Sequence, residues 1–175
     1  MLVIVVVGLA RSGKDTFANY VEAKYSFKKF DFFRDVLVPL MNEQKLKVTK
    51  ANAAKFGNEM RKRFGMGVFG EKMAQLIRNY DKVVITGVRS LEELVPIEKQ
   101  ASKFYIVRID ASNENRFSRR TELDPQTQED FFARDKDDIL HKGFDKVLKA
   151  ATISIANNST LDEFYKAIDE LMQRI

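Results

Sequence analysis

The sequence predicts an α/β fold in which a five-stranded parallel sheet carries helices on both faces. Short apolar runs rich in β-branched residues alternate with longer segments of helical spacing, which favours right-handed strand–helix–strand units. The first run, Leu2–Val7, carries no charge, as is typical of a strand covered on both faces. At 175 residues the chain has the length of one domain with a full core.

The five strands are predicted where these runs occur. Three of these runs are apolar almost throughout: Leu2–Val7, KVVIT and KFYIVRI. The run SFKKFDFF instead alternates between polar and apolar residues. The predicted strands are residues 2–7, 26–33, 82–86, 103–109 and 152–156.

Helices are predicted between the strands, where apolar residues recur three or four positions apart. The first begins near Lys14, a short one at residues 36–41 begins or restarts at Pro39, and Thr160 with Glu163 makes a capping box for the last. The glycines of residues 65–70 have G-x-G-x-x-G spacing but follow a helix, so we interpret them as a flexible joint between helices. The other predicted helices are residues 51–64, 71–80, 91–101, 113–120 and 129–141.

A glycine-bracketed loop, GLARSGKDT, joins the first strand to the first helix. Strand, loop, lysine and helix together are the pattern of a phosphate-binding loop. Glycine has no Cβ, so the backbone N–H groups can curl around a phosphate, and the helix N-terminus adds unpaired N–H groups and the positive end of its dipole. We expect Lys14 to reach the β- and γ-phosphates of a nucleotide. The predicted nucleotide-binding residues of the loop are Gly8, Leu9, Ala10, Arg11, Ser12, Gly13, Lys14, Asp15 and Thr16.

Asp15 departs from the usual pattern, which has Ser or Thr after the lysine to ligate Mg²⁺. A carboxylate is a strong Mg²⁺ ligand, directly or through water, but it repels phosphate when no cation intervenes. We therefore predict that Asp15 binds Mg²⁺ in a site where the metal is always present.

Composition narrows the function classes. There is no cysteine, which excludes disulfides and thiol chemistry, and the single histidine, His141, is predicted to lie at the surface. The net charge of +5 suits nucleotides and falls short of an argument for a nucleic-acid partner. No apolar run reaches membrane-spanning length and the first one has no basic leader, so we expect a cytoplasmic protein without a membrane partner.

Arginines are predicted to complete the site. Arg89 follows the third strand in GVRS, at the carboxyl end where ligands of such sheets bind; the alternative is a surface ion pair with Glu92 or Glu93. Arg116 and Arg120 share a helical face before a polar loop and a further helix, as in a closing lid; the alternative is a solvated basic hairpin.

These residues carry a resemblance to a known group. GLARSGKDT, GVRS and VRIDASNENRFSRR resemble the nucleoside monophosphate kinases among P-loop proteins, and FKKFDFFRDVL is similar to phage-type deoxynucleoside monophosphate kinases. The layout, including FFARD, also resembles an archaeal family related to adenylate kinase and dephospho-CoA kinase. The resemblance implies a three-layer P-loop NTPase fold with core residues 1–33, 81–112 and 143–175, a helical acceptor-binding insertion at residues 34–80, and a lid at residues 113–142.

The resemblance also implies site roles. Arg89 would grip the acceptor's phosphate, Arg116 would stack on the ATP base, Arg120 and Arg134 would clamp the transferring phosphoryl group, and Asn157 would lie near the base. Lys14, Arg89, Arg120 and Arg134 are thus the expected catalytic residues. Adenylate kinases carry an aspartate where this chain has Thr86, and we expect Asp15, or secondarily Asp31 or Asp110, to supply the missing carboxylate. Asp31, Arg34 and Arg89 are the expected acceptor-binding residues.

The expected activity is Mg²⁺- and ATP-dependent phosphorylation of a nucleoside monophosphate by a monomer or homodimer. A first alternative is a kinase for dephospho-CoA or another metabolite hydroxyl, for which Asp31 would orient or deprotonate the acceptor. A second is a nucleotide-dependent ATPase or switch that acts with RNA or protein. We expect Phe131 and Phe132 to be exposed, and this leaves self-association open.

Overall fold

The computed structural model describes the backbone of residues 1–175 and all side chains except those of residues 50 and 140–142. The prediction for the side chain of His141 therefore lies outside the described residues.

The sheet confirms the predicted fold class. Its five strands are all parallel and lie in the order β2-β3-β1-β4-β5, so the strand before the phosphate-binding loop is central. Residues 3–7 of this central strand are fully buried, as expected for a strand covered on both faces. The strands are β1 Leu2–Val7, β2 Lys28–Asp31, β3 Lys82–Thr86, β4 Lys103–Asp110 and β5 Ile153–Ala156.

Helices cover both faces of the sheet. They are α1 Lys14–Tyr25, α2 Val38–Glu43, α3 Lys50–Phe64, α4 Val68–Ile77, α5 Leu91–Glu98, α6 Asn113–Ser118, α7 Gln128–Lys142, α8 Phe144–Lys149 and α9 Leu161–Met172, with a π-helical segment, Phe32–Leu37, leading into α2. Alternate residues of β1 point to opposite layers: Val5 packs in a core with α4, α5 and α8, and Ile4 packs in a core with α1 and α9. The result is the expected three-layer arrangement.

The structure differs from the sequence prediction in local detail. The second strand is only four residues long, because the Asp31 side chain accepts a hydrogen bond from Arg34 N and starts a helical segment there. The predicted joint at residues 65–70 is only partly a connection, since α4 begins at Val68. Gly70 lies inside that helix, where a Cβ would collide with the backbone of Glu93, so this glycine permits close packing of α4 against α5.

Two further expectations need correction. Phe131 is fully buried rather than exposed, because α7 packs its ring edge-on against Phe117 and Phe132. The sequence reading also missed α8, a two-turn helix whose Phe144 and Val147 complete one core layer.

Candidate functional site

The phosphate-binding loop has the backbone that its glycines predict. Gly8 and Gly13 have φ of 151° and 113°, and a Cβ on Gly8 would lie 2.6 Å from Ile109 O. Gly13 is the N-cap of α1 and makes no side-chain cap, so the first N–H groups of the helix remain open to a ligand. This is an anion-binding geometry made by backbone donors.

Lys14 lies at the base of this loop and donates from Nζ to Leu9 O at 2.8 Å. Burial, and then the nearby positive charge of Arg89, lower the pKa of Lys14 from 10.5 to about 8. Asp15 and Asp135 oppose the shift only in part. The charges of the chain therefore compensate the Lys14 ammonium group only in part, and a phosphate would supply the remaining counter-charge.

Asp15 lies at the first turn of α1 and lines the same cleft as Lys14 and Thr16. Its side chain is 77% exposed and its carboxylate pairs with Lys29 Nζ at 3.1 Å. The described residues contain no cluster of three metal-ligating side chains. A single carboxylate is still compatible with Mg²⁺, which usually keeps several waters and takes one or two carboxylates together with substrate phosphates.

Arg89 lies just after β3, where its charge acts on Lys14. It lines the cleft, and its Nη1 donates to the Asp138 carboxylate of α7 at 2.8 Å. The Arg89 guanidinium does not form the alternative surface ion pair with Glu92 or Glu93. Glu93 instead accepts a hydrogen bond from the backbone N–H of Arg89. Arg89 thus faces the cleft while a carboxylate of the predicted lid occupies its guanidinium.

Asp31 ends β2 beside Thr86, its neighbour in the sheet register. Its Oδ2 accepts from the Thr86 hydroxyl at 2.8 Å, and both residues line the cleft. A carboxylate therefore lies next to the position where Thr86 replaces the expected aspartate, supplied by the adjacent strand.

Arg34 does not join the cleft. The π-helical turn directs its guanidinium along the outer surface, where Nε and Nη2 donate to both oxygens of Asp35 at 2.9 Å and 2.8 Å. Its predicted contact with the acceptor is not met in this arrangement.

The expectation that Arg116 stacks on the ATP base is likewise not met. The side chain is 2% exposed, and it donates to Ala10 O of the phosphate-binding loop at 3.1 Å and to Asp135 of α7 at 2.5 Å. Arg116 therefore links two helices of the predicted lid, α6 and α7, to the phosphate-binding loop. Arg119, on the next turn, is the one that lines the cleft and donates to Asn157 O.

Arg120 and Arg134 lie outside the cleft as well, because each packs on an aromatic ring, Phe117 and Phe131 respectively. Arg134 shares Asp124 with Arg11 of the phosphate-binding loop. Burial would raise the pKa of Asp124, but hydrogen bonds from Thr121 and Arg11 outweigh it and lower the pKa to about 2. This carboxylate fastens the loop before α7 to the phosphate-binding loop.

Asn157 lines the cleft, but its amide is directed at the phosphate-binding loop. Nδ2 donates to Ser12 O at 2.8 Å, and a Cβ on Gly13 would collide with the same atom. Asn157 therefore braces the phosphate-binding loop. Ser159 and Leu161 line the cleft beside it.

Sequence reasoning missed a cationic side chain in the predicted acceptor-binding region. Arg61 of α3 lines the cleft, and its Nη2 donates to the fully buried Glu93 at 2.8 Å. Asn58 and Ala54 line the cleft from the same helix. Positions 54, 58 and 61 have i, i+4, i+7 spacing, so this small and polar face was a signal available in the sequence.

Together these residues line a cleft of about 880 Å³ that runs from the phosphate-binding loop to the π-helical segment and α3. Its described lining includes five cationic side chains, Arg11, Lys14, Arg61, Arg89 and Arg119, against three aspartates, Asp15, Asp31 and Asp138. Since the cationic side chains outnumber the aspartates, the cleft is suited to a polyanion.

Comparisons with known proteins agree with this architecture. No family model matches the chain. It is 28% identical over 179 residues to the UPF0200 protein Ta0179 of Thermoplasma acidophilum, covering 97% of this chain and 94% of that protein. It is 29% identical over 186 residues to a UPF0200 protein of Thermococcus onnurineus, covering 99% and 98%.

Solved structures identify the fold. A shikimate kinase from Bacteroides thetaiotaomicron superimposes with a TM-score of 0.62 at 12% identity, covering 99% of this chain and 97% of that one. A shikimate kinase from Acinetobacter baumannii in complex with shikimate gives 0.58 at 11% identity, covering 99% and 92%. A gluconokinase from Sinorhizobium meliloti gives 0.52 at 11% identity, covering 99% and 94%. This is the P-loop kinase fold. Within the described residues, no helix is long and apolar enough to cross a membrane.

Proposed function

We propose that the protein is an ATP-dependent phosphotransferase that phosphorylates a small anionic acceptor, with a nucleoside monophosphate as the leading candidate. One observation carries the proposal: a single cleft contains the phosphate-binding loop and, outside that loop, the guanidinium groups of Arg89 and Arg61, which together make a second cationic wall. A protein that only binds or hydrolyses a nucleotide has no need for that second wall.

The donor side would bind ATP through the loop. The backbone N–H groups of residues 8–16 and the Lys14 ammonium would hold the β- and γ-phosphates, and Arg119 with Leu161 would enclose the base. Mg²⁺ held by Asp15 would neutralise charge on the phosphates. Arg120 and Arg134 could clamp the transferring group only if the region of residues 113–142 moves as a lid over core residues 1–33, 81–112 and 143–175.

The acceptor side, residues 34–80, would bind the second substrate. Arg89 and Arg61 provide forked donors suited to phosphate, and Phe33, Leu37 and Ala54 form an apolar wall that a flat base could pack against. Transfer would proceed in line between the two anions, with the chain contributing position and charge neutralisation rather than covalent chemistry.

A hydroxyl acceptor, such as dephospho-CoA or another metabolite, is the second candidate. The position of the Asp31 carboxylate favours it. Its carboxylate is held by the Thr86 hydroxyl and faces the cleft, where it could orient an alcohol and take its proton. A phosphate acceptor needs no such base.

The test is turnover of Mg²⁺-ATP with a panel of nucleoside monophosphates and dephospho-CoA, with products identified by chromatography and Lys14→Ala as the blank. A diphosphate formed from one monophosphate would support the leading proposal and name the acceptor. Asp31→Asn separates the two kinase candidates, because it should slow an alcohol acceptor at least about 100-fold and a phosphate acceptor far less.

Matched arginine variants test the acceptor wall. Arg61→Ala should raise the acceptor KM about tenfold or more with little change in the KM for ATP, whereas the exposed Arg63→Ala on the same helix should change neither. ADP release with no phosphorylated acceptor, abolished in Lys14→Ala, would refute the kinase proposal in favour of an ATPase or switch.

A further inference from the structure

Lys29 is a lysine in an unusual place. It lies on β2, and its side chain is only 9% exposed, although lysine is among the residues least often buried. Its Nζ donates to Asp15 Oδ1 at 3.1 Å and to Asn19 Oδ1 at 2.9 Å, two residues one turn apart on α1. Its backbone N–H donates to Glu22, also on α1. The strand thus delivers one ammonium group to the flank of the helix that starts at the phosphate-binding loop.

Asp15, which accepts a hydrogen bond from Lys29, connects this lysine to the phosphate-binding loop. Its carboxylate occupies the position after the loop lysine and lines the cleft, 77% exposed. A carboxylate there opposes the N-terminal helix dipole's attraction for phosphate and repels the phosphate itself. The sequence suggested that only a permanently bound metal could offset this repulsion, but the structure contains another cation in direct contact with the carboxylate.

We propose that Lys29 is a positioning residue that neutralises and orients Asp15, so that nucleotide phosphates can enter the loop before any metal is bound. Lys29 holds the carboxylate from behind, and Asp15 keeps its exposed side toward the cleft for Mg²⁺. The two residues act as a unit. The inference rests on the proposed nucleotide-binding role of the loop.

The fold fixes one partner of this pair, since the Lys29 side chain is 9% exposed whereas that of Asp15 is 77% exposed. An ordinary surface ion pair joins two long, solvated side chains and contributes little. Here the lysine is desolvated and both of its side-chain partners lie on one helix face, so the geometry is set by the packing of β2 on α1.

The experiment is a double-mutant cycle read out as nucleotide affinity. ADP binding is measured by isothermal titration calorimetry, once with EDTA and once with excess Mg²⁺, for the wild type, Lys29→Met, Asp15→Asn and the double variant. Lys29→Met should weaken metal-free binding about tenfold and Mg²⁺-dependent binding about threefold or less. In the Asp15→Asn background the same change should have little effect in either condition.

Controls keep the result interpretable. Lys28→Met removes the same charge from the adjacent, exposed position of β2 and should leave both affinities unchanged. Lys29→Arg should restore most of the metal-free affinity. If Lys29→Met does not fold, Lys29→Gln takes its place in the cycle, because it removes the charge while keeping a donor for Asp15 and Asn19, and the same pattern of affinities is expected.

Equal weakening with and without Mg²⁺, or the same loss in the Asp15→Asn background, would overturn the inference and leave Lys29 a merely structural residue. Absence of any ADP binding by the folded wild type would instead refute the proposed nucleotide-binding function, so the two failures are distinguishable.

Discussion

Raising the pH above 8 should weaken nucleotide binding, because it removes the proton from Lys14 in the empty loop. The cause is the depressed pKa of about 8, which arises first from burial and then from the positive charges of Arg89 and Arg116. Bound phosphate supplies the missing counter-charge and should return the pKa of Lys14 toward its ordinary value. Nucleotide binding above pH 8 must therefore take up a proton.

The magnitude follows from the shift itself. Lowering the pKa from 10.5 to about 8 means that the charged ammonium costs about 3 kcal/mol in the empty loop, at 1.36 kcal/mol for each pH unit. The unfolded chain binds this proton more tightly, so Lys14 makes the empty protein less stable below pH 8, and that loss is recovered as the pH rises from 8 to 10.5. For binding the sign is opposite: affinity should be flat below pH 8 and fall up to tenfold for each unit above it, about 30-fold by pH 9.5.

The assay is calorimetric titration of ADP with Mg²⁺ from pH 7 to 9.5, in pairs of buffers with different ionisation enthalpies. The proton taken up should approach about one per nucleotide at pH 9. Lys14→Arg is the control, because its guanidinium does not titrate in this range and its affinity should not break near pH 8. A wild-type affinity that stays constant to pH 9.5, or binding without proton uptake, would refute the reasoning.

Three other predictions concern stability and the loop. Glu93→Ala should lower the free energy of unfolding by about 3–5 kcal/mol, because it leaves a buried cation unpaired and a helix uncapped; a loss below about 1 kcal/mol in urea denaturation would contradict this. Phe131→Ala should also cost about 3–5 kcal/mol, and the half-buried Phe132→Ala clearly less; equal losses by the same method would argue against the aromatic cluster as described. Gly13→Ala should weaken ADP binding at least about tenfold, because φ of 113° disfavours alanine and its Cβ would meet Asn157; calorimetry showing unchanged affinity would contradict the loop geometry.

The sheet was predictable because its signals are local. An uncharged β-branched run such as Leu2–Val7 has one stable environment, the centre of a parallel sheet, and the structure places it there. The shortened second strand was not predictable in the same way. Its end is set by Asp31, which both caps the following turn and accepts from Thr86 of the next strand. The cap is local, but the contact with Thr86 depends on strand pairing that a single sequence does not display.

In the candidate site, too, the local features were predictable and the features that depend on distant partners were not. The phosphate-binding loop is contiguous in sequence, and the structure places its Gly13, Lys14 and Asp15 along one cleft. The arginines are not contiguous, so their partners decide where they point. Arg116 was expected in the cleft and is buried on Asp135, while Arg61, which was overlooked, lines the cleft because Glu93 holds it there. In each case a buried carboxylate distant in sequence fixes the cation.

This dependence on carboxylates explains how one cleft can hold so many cations before a substrate binds. Lys29 pairs with Asp15, Arg89 with Asp138 and Arg61 with Glu93, so these three cations already have anionic partners, whereas Lys14 donates to the backbone carbonyl of Leu9. An incoming phosphate must compete with those partners. Arg89 illustrates the consequence: if its guanidinium turns from Asp138 to an acceptor's anion, the predicted lid loses a contact to the core at the same step. Binding of the acceptor and the position of α7 would then be coupled through a single ion pair.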